Sequence, residues 1–251
     1  MKKKISVKKL IYDFLILVFV GIFIFALYHI IIWYKDNKYT ENKINEIKEQ
    51  ANVTFVEDKE QSYIDANFEE LLKANEETVG WINVPGTWID YSIVRHSDND
   101  YYLTHSFDNT WNGAGWIFAD FRTDLDNLSQ NNVVYGHSMI NRSMFGTLRN
   151  VFKDDYLNER NEYYIYISTS KYNYVFQIFS AYHLEPTDDY LTTSFNQGEF
   201  ETWLDMVSKR SMIDYKASAT TEDKILTLST CYSDSERMAV HAKLIKQNIR
   251  H

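Results

Sequence analysis

Cysteine is almost absent: Cys231 is the single one in 251 residues. That excludes an internal disulfide framework, which a domain of this size does not need in order to bury a core. A lone thiol is either an inert buried residue or a reactive one. Proline occurs twice, so there is no proline-rich stalk. The sequence has no glycine-rich phosphate loop and no His/Cys cluster with metal-ligand spacing, and neither a cofactor nor a metal is expected. Basic charge is scarce beyond the N-terminus. The first 35 residues carry six lysines against Asp13, a balance of +5, so the −9 total leaves −14 for the rest. An acidic main domain argues against nucleic acid, whose phosphates need a basic surface.

What the chain does have is a long apolar run. Lys2, Lys3, Lys4, Lys8 and Lys9 precede FLILVFVGIFIFALYHIIIW, residues 14–33, in which His29 is the sole ionisable side chain. At about 1.5 Å per residue the run reaches roughly 30 Å, the thickness of a bilayer's hydrocarbon. A signal-peptide core is shorter, and no small-x-small cleavage site closes this one. An uncleaved anchor is expected. Beyond it, Lys35, Lys38, Lys43 and Lys48 alternate with Asp36, Glu41, Glu46 and Glu49. The positive-inside rule favours a cytoplasmic N-terminus and an extracellular main domain. The expected organisation is a basic tail over 1–13, a transmembrane signal-anchor helix over 14–33, a polar spacer over 34–64 and a catalytic domain over 65–251.

The main domain reads as mostly β. Asp65 to Thr78 has helix character, with Phe68, Leu71 and Leu72 as an apolar stripe and Asn67 as a cap. Val79 to Val94 alternates around a Pro85-Gly86 turn as two short strands. Further strands are expected at Trp116–Ala119, Asn132–Tyr135, Tyr163–Ser168, Tyr174–His183, Lys224–Cys231 and Met238–Ile245. One amphipathic helix interrupts them, Gly198 to Ser211, with Phe200, Trp203, Leu204 and Val207 on one face. Many short strands with few helices point to a barrel or sandwich carrying peripheral helices.

In ILTLSTC, residues 225–231, strand alternation sets Thr227, Ser229 and Cys231 on the less apolar face. The cysteine ends the strand, and the polar Tyr232-Ser233-Asp234-Ser235-Glu236 follows as a surface loop. Arg237 opens the next strand. If the two strands form a hairpin, the guanidinium lies near the thiol, where it favours the thiolate and can stabilise an oxyanion. Cysteine acyl transfer also needs a proton shuttle. His137 ends the apolar strand Val133-Val134-Tyr135-Gly136, and the glycine permits close backbone approach. His241 lies four residues beyond Arg237 on the same strand. Spacing alone does not choose between His137 and His241.

At these residues the chain resembles the sortase family, and class B sortases in particular. TLSTC, ending in Cys231, is similar to the family's nucleophile motif. Arg237, leading into VHAKL, resembles the family arginine, and NNVVYGHSM resembles the segment that carries the family histidine. ANEETVGWINVPGTWIDYSIV, DNDYYLTHSF, MFGTL and the inserted helix over Glu199–Ser211 look like class B features. The resemblance covers roughly residues 65–247. It implies a mostly antiparallel, eight-stranded β-barrel with N-terminal helices and one inserted helix before the cysteine strand, here preceded by a transmembrane helix. It also implies a thiol transpeptidase on the outer face of a Gram-positive cell membrane. Such an enzyme cleaves a C-terminal NPxTN- or PxTG-like sorting motif of an exported protein after its Thr. It then passes the acyl group to an amine of a peptidoglycan precursor or cross-bridge. Carried over residue by residue, Cys231 is the nucleophile, His137 the acid/base and Arg237 the charge stabiliser. Asn99, Leu103, Tyr190, Leu191 and Ser229 would line the sorting-motif groove, and Asp234 falls where some class B accounts set an acidic assistant.

Two rival readings share these residues. A cysteine hydrolase with the same triad would release its product to water, and an added amine separates the two. A tethered adhesion or scaffold domain would keep its thiol as a structural residue, and a Cys231→Ala protein would then keep full activity.

Overall fold

The main domain owes its architecture to alternating apolar residues in short runs, which bury one face each and close on themselves. The computed structural model describes residues 7–57, 62–158, 163–233 and 235–250, with Cys231 and Tyr232 described by their backbone. Asp234 and the first six residues of the expected basic tail lie outside the described residues. In chain order the elements are helix α1 (Val7–Gln50), strands β1 (Thr54–Val56) and β2 (Tyr63–Asp65), helix α2 (Phe68–Ala74), strands β3 (Thr78–Asn83), β4 (Asp90–Val94), β5 (Phe118–Ala119) and β6 (Asn131–Tyr135), helix α3 (Asp154–Asn158), strands β7 (Tyr164–Ser168) and β8 (Tyr172–Leu184), helix α4 (Glu199–Lys209), and strands β9 (Ile225–Ser233) and β10 (Glu236–Ile249). Short 3-10 turns occupy Tyr101–Leu103, Phe145–Phe152 and Asp189–Leu191.

The chain divides into a unit ending at Thr40 and a second from Glu41 onward. The first is helical. Its side chains from Leu10 to Tyr34 are largely apolar and exposed, and the helix is long and apolar enough to cross a membrane. The second unit holds the barrel. Residues 41–57 belong to it: Ile47 and Ala51 are buried in its core, and Lys48 bonds Asp90, which also accepts from the Trp81 indole.

Eight strands close a barrel in the order β3-β4-β5-β6-β9-β10-β8-β7, with β7 pairing back onto β3. Closure leaves these strands no open edge. Most neighbours are antiparallel. The exceptions are β4 with β5, through Val94 and Phe118, and β6 with β9, from Asn131 opposite Ile225 to Tyr135 opposite Ser229. The interior carries the alternate apolar residues, among them Ile82, Ile93, Val134, Ile165, Phe176, Leu226, Leu228 and Val240, all essentially inaccessible.

The expected helices and strands are present with shifted ends. Helix α2 is shorter than the expected 65–78. Asn67 caps it, accepting from the backbone N–H groups of Glu69 and Glu70. It stops at Asn75, which turns extended so that its amide reaches Tyr102 and Phe107. Helix α4 packs Phe200, Trp203, Leu204 and Val207 on Phe179, Tyr182, Tyr190, Ile225 and Ala239, forming a second apolar cluster outside the barrel. Its charges follow the helix dipole, with Glu199 and Glu201 in the first turn and Lys209 in the last.

His241 is sealed under α4 with zero exposure. Thr227 donates to Asn131 Oδ1 (2.6 Å), so its oxygen accepts from His241 Nδ1 (2.9 Å), while Tyr182 donates to Nε2 (2.9 Å). The neutral ring is thus fully bonded. Burial, with Arg210 a lesser cause, lowers its pKa to about 3. The unfolded chain binds a proton there near pH 6.5 and the folded one does not. Stability is therefore present above pH 6.5 and lost as pH falls toward 3. We expect urea unfolding of the solubilised protein to lose about 2–3 kcal/mol between pH 7 and 4.5 from this ring alone. His241→Gln should flatten the pH slope by that amount, and equal slopes in the two proteins would mean that the folded ring takes up its proton as readily as the unfolded one.

Candidate active site

The site is assembled at one rim of the barrel, where strand register does the positioning. Strand β9 carries Cys231, and its antiparallel neighbour β10 sets Arg237 opposite it. On the other side β6 runs parallel to β9, with Tyr135 opposite Ser229 and the Gly136 N–H bonded to the Ser229 carbonyl at 3.3 Å. His137 comes two residues past that last pair, just beyond the end of β6, and borders one cavity with Ser229 and Arg237. Two segments far apart in sequence, the end of β6 and the β9–β10 hairpin, therefore meet at one rim. The hairpin is braced where His183 Nδ1 meets Glu236 at 2.9 Å.

His137 is half-buried. Its Nε2 lies 2.8 Å from the Leu103 carbonyl oxygen. A carbonyl only accepts, so Nε2 carries the proton and Nδ1 is the nitrogen left to exchange one. Gly136, just before it, is tightly seated: a Cβ would lie 2.4 Å from Ile117 Cδ1 and 3.0 Å from Phe145 Cγ, so those side chains would have to shift. The Phe145 N–H then bonds back to the His137 carbonyl at 2.8 Å, closing the loop that follows the histidine.

Two cavities open beside these residues. The smaller, about 330 Å³, is bordered by His137, Arg237, Ser229, Tyr190, Leu191 and Leu103, among others. The larger, about 720 Å³, is bordered by Asn99, Leu103, Arg122, Tyr135, Leu191 and Thr192, among others. Leu103, Tyr135, Asp188 and Leu191 border both, so the two form one groove leading away from the strand ends. All five residues expected in a peptide groove border it. They do so unequally: Leu103 is open to solvent, whereas Tyr190 and Ser229 are buried and bonded to each other at 2.9 Å, as a floor.

The far wall hangs on Arg210, just past α4. Its guanidinium grips both oxygens of Asp189 at 2.8 and 2.6 Å and holds that carboxyl below its ordinary pKa. The turn Asp189–Leu191 is thereby tied to α4. A cluster that the sequence did not reveal lies under the larger cavity. Asp120 is fully buried and accepts from Arg122 Nε and Nη2 (both 2.7 Å), Tyr135 (2.9 Å) and Asn99 (2.9 Å). Burial pushes its carboxyl up, but these bonds outweigh burial and leave it lowered. The one sequence cue was an acid ending the apolar strand Trp116–Ala119.

His241, the competing histidine, lies beneath α4 and borders neither cavity. His96 pairs with Glu77 and His105 with the Tyr101 carbonyl, away from the strand ends. Among the described residues no group of three or more His, Cys, Asp or Glu could hold a metal ion.

Comparison with known proteins agrees in sequence and in fold. The sortase domain family profile matches residues 82–245. Sortase B of Staphylococcus aureus is 35% identical over 237 residues, covering 92% of this chain and 95% of that protein. The structure of sortase B from Bacillus anthracis superposes with a TM-score of 0.74 at 30% identity, covering 85% of this chain and 99% of that one. A Staphylococcus aureus sortase B–substrate complex superposes with a TM-score of 0.66 at 35% identity, covering 72% and 85%.

The tight seat of Gly136 yields a direct expectation. Gly136→Ala should destabilise the protein by about 1–3 kcal/mol, the usual cost of overpacking. The thermal midpoint would read this, and an unchanged midpoint would show that Ile117 and Phe145 yield without strain.

Proposed function

The chain belongs to the sortase family of cysteine transpeptidases, and from that premise we propose that it cleaves a C-terminal sorting motif of exported proteins after Thr and joins the new carboxyl end to a cell-wall amine. Cys231 is the nucleophile, His137 the acid/base and Arg237 the charge stabiliser. The observation that carries this reading is the register of β6, β9 and β10, which sets the three residues at one rim beside a groove.

The chemistry follows from these groups. The Cys231 thiolate attacks the Thr carbonyl carbon, and the negative oxygen that forms is met by the Arg237 guanidinium. As the C–N bond breaks, His137 gives its proton to the departing amine, leaving a thioester on Cys231. An incoming amine then attacks the thioester, His137 takes its proton, and the new amide leaves as the thiolate is restored. The groove bordered by Asn99, Leu103, Tyr190, Leu191 and Ser229 holds the motif, of NPxTN or PxTG type. The acceptor is an amine of a peptidoglycan precursor or cross-bridge. Residues 14–33 anchor the enzyme as a single-pass protein of a Gram-positive cell membrane, N-terminus inside, with the catalytic domain over 65–251 outside. The five lysines before the apolar run support that orientation.

The test is mass spectrometry of the full-length protein in detergent with NPxTN, SPxTG and LPxTG peptides, with and without an added amine. An adduct on Cys231 that ends at Thr, and that becomes an amide when amine is supplied, is the expected result. Cys231→Ala should form none, and His137→Ala and Arg237→Ala should each slow its formation by about 10²-fold or more. Cleavage indifferent to amine would make the enzyme a hydrolase. A folded protein that forms no adduct with any peptide would overturn the substrate class.

A further inference from the structure

His137 is held by a backbone carbonyl, so the holder of that carbonyl matters. The Leu103 oxygen that accepts from Nε2 ends the 3-10 turn Tyr101–Leu103. A turn this short has little stability of its own. Its rigidity comes from what pins it, and three pins are visible.

The deepest is Tyr102. The side chain is 1% exposed, and its hydroxyl donates to Glu77 Oε2 at 2.6 Å, with Asn109 Oδ1 a second acceptor at 3.2 Å, while accepting from Asn75 Nδ2 at 2.9 Å. Asn75 is itself tied to the Phe107 carbonyl at 2.6 Å, and the other Glu77 oxygen meets His96 Nδ1 at 2.6 Å. The second pin is backbone. The Trp116 N–H bonds the Tyr102 carbonyl at 2.9 Å, and Gly115, at φ +58°, lets that segment approach. A Cβ at Gly115 would stand 2.4 Å from the Tyr102 oxygen and 2.9 Å from the Leu103 oxygen. The third is Asp98, whose carboxylate accepts from the N–H groups of Asp100 and Tyr101.

The pinned turn has two outputs. Its last carbonyl bonds His137, and its Leu103 side chain walls both cavities. We propose that Tyr102 is a positioning residue for proton transfer: bonded to Glu77 and Asn75, it holds the Leu103 carbonyl where it keeps His137 in the Nε2–H tautomer, leaving Nδ1 as the nitrogen that exchanges protons. This rests on His137 as the acid/base residue. Tyr102 touches no reacting atom. It acts through the turn, as outer-shell partners fix the tautomer of a functional histidine elsewhere.

Tyr102→Phe removes the hydroxyl and keeps the ring. Glu77→Ala removes its nearer acceptor, leaving Asn109 Oδ1 at 3.2 Å, and Glu77→Gln restores a neutral one. The primary readout is the nitrogen NMR of the imidazoles in full-length, histidine-labelled protein in detergent, with the His137 signal assigned by its loss in His137→Gln. It needs no turnover. The parent should show neutral His137 mostly as the Nε2–H form. Tyr102→Phe and Glu77→Ala should shift it toward a mixture, and Glu77→Gln should stay near the parent. In the peptide assay Tyr102→Phe should lower kcat about tenfold, with KM changed less than threefold because the Leu103 wall remains. Gly115→Ala, whose Cβ would crowd the Tyr102 and Leu103 oxygens, should move the tautomer in the same direction.

An unchanged tautomer ratio in folded Tyr102→Phe and Glu77→Ala overturns the proposal, as does a kcat within twofold of the parent in both. If His137→Gln retains full activity, the acid/base assignment itself fails. If the parent tautomer is Nδ1–H while His137→Gln is inactive, the positioning role alone fails.

Discussion

The parallel pairing of β6 with β9 is the constraint on which the rest of the site depends. Strands of an antiparallel pair exit at opposite ends, so residues just past two antiparallel strands do not meet. A parallel pair exits at one rim. Here Tyr135 pairs with Ser229, and His137 and Cys231 each follow two residues on, at that rim. The antiparallel strand β10 begins at that same rim, which is why Arg237 opposes Cys231. A one-residue slip in the β6–β9 register would turn every β6 side chain to the opposite face. Buried polar bonds across the pair oppose it: Thr227 donates to Asn131, and the Asn132 amide donates to the Ile225 carbonyl.

A parallel pair also demands a long connection. The chain between β6 and β9 contains β7, β8 and α4, and these elements finish the barrel and supply the outer groove wall. The groove is therefore made of turns lashed to a rigid frame by buried polar bonds. Arg210 ties the Asp189–Leu191 turn to α4, and Asp120 ties Asn99 and Arg122 to Tyr135 on β6. Each of these clusters is bonded on nearly every polar atom, the condition under which buried polar groups rigidify rather than weaken a fold.

Much of this was legible in the residues themselves. Period-two alternation found the strands that carry His137, Cys231 and Arg237, the polar run after Cys231 marked the hairpin, and period 3.6 found the face of α4. The barrel and the family followed from three motifs in order. What local pattern could not supply was adjacency. Nothing near residue 135 says that β6 lies beside β9 and parallel to it, since that contact is set by closure of the whole sheet. For the same reason spacing could not separate His137 from His241. Both end up on strands of the same wall. They differ because Trp203 of α4, with Tyr182 of β8, covers His241, whereas His137 is left at the rim. The bonds from Asp120 to Asn99 and Tyr135 and the Tyr102–Glu77 contact were likewise invisible, joining residues 15 to 25 apart that no periodicity marks.

The most direct measurement is a crystal structure of the protein with its single thiol covalently occupied by a peptide mimic ending at Thr. If the register of β6, β9 and β10 builds the reaction centre, the Thr carbonyl oxygen will lie within hydrogen-bond reach of the Arg237 guanidinium. His137 Nδ1 will face the side from which the amine departs, with Nε2 still on the Leu103 carbonyl. The peptide will run back between Leu103 and Leu191. A peptide bound elsewhere, or one whose carbonyl is out of reach of Arg237 with His137 turned away, would contradict the assignment of all three residues.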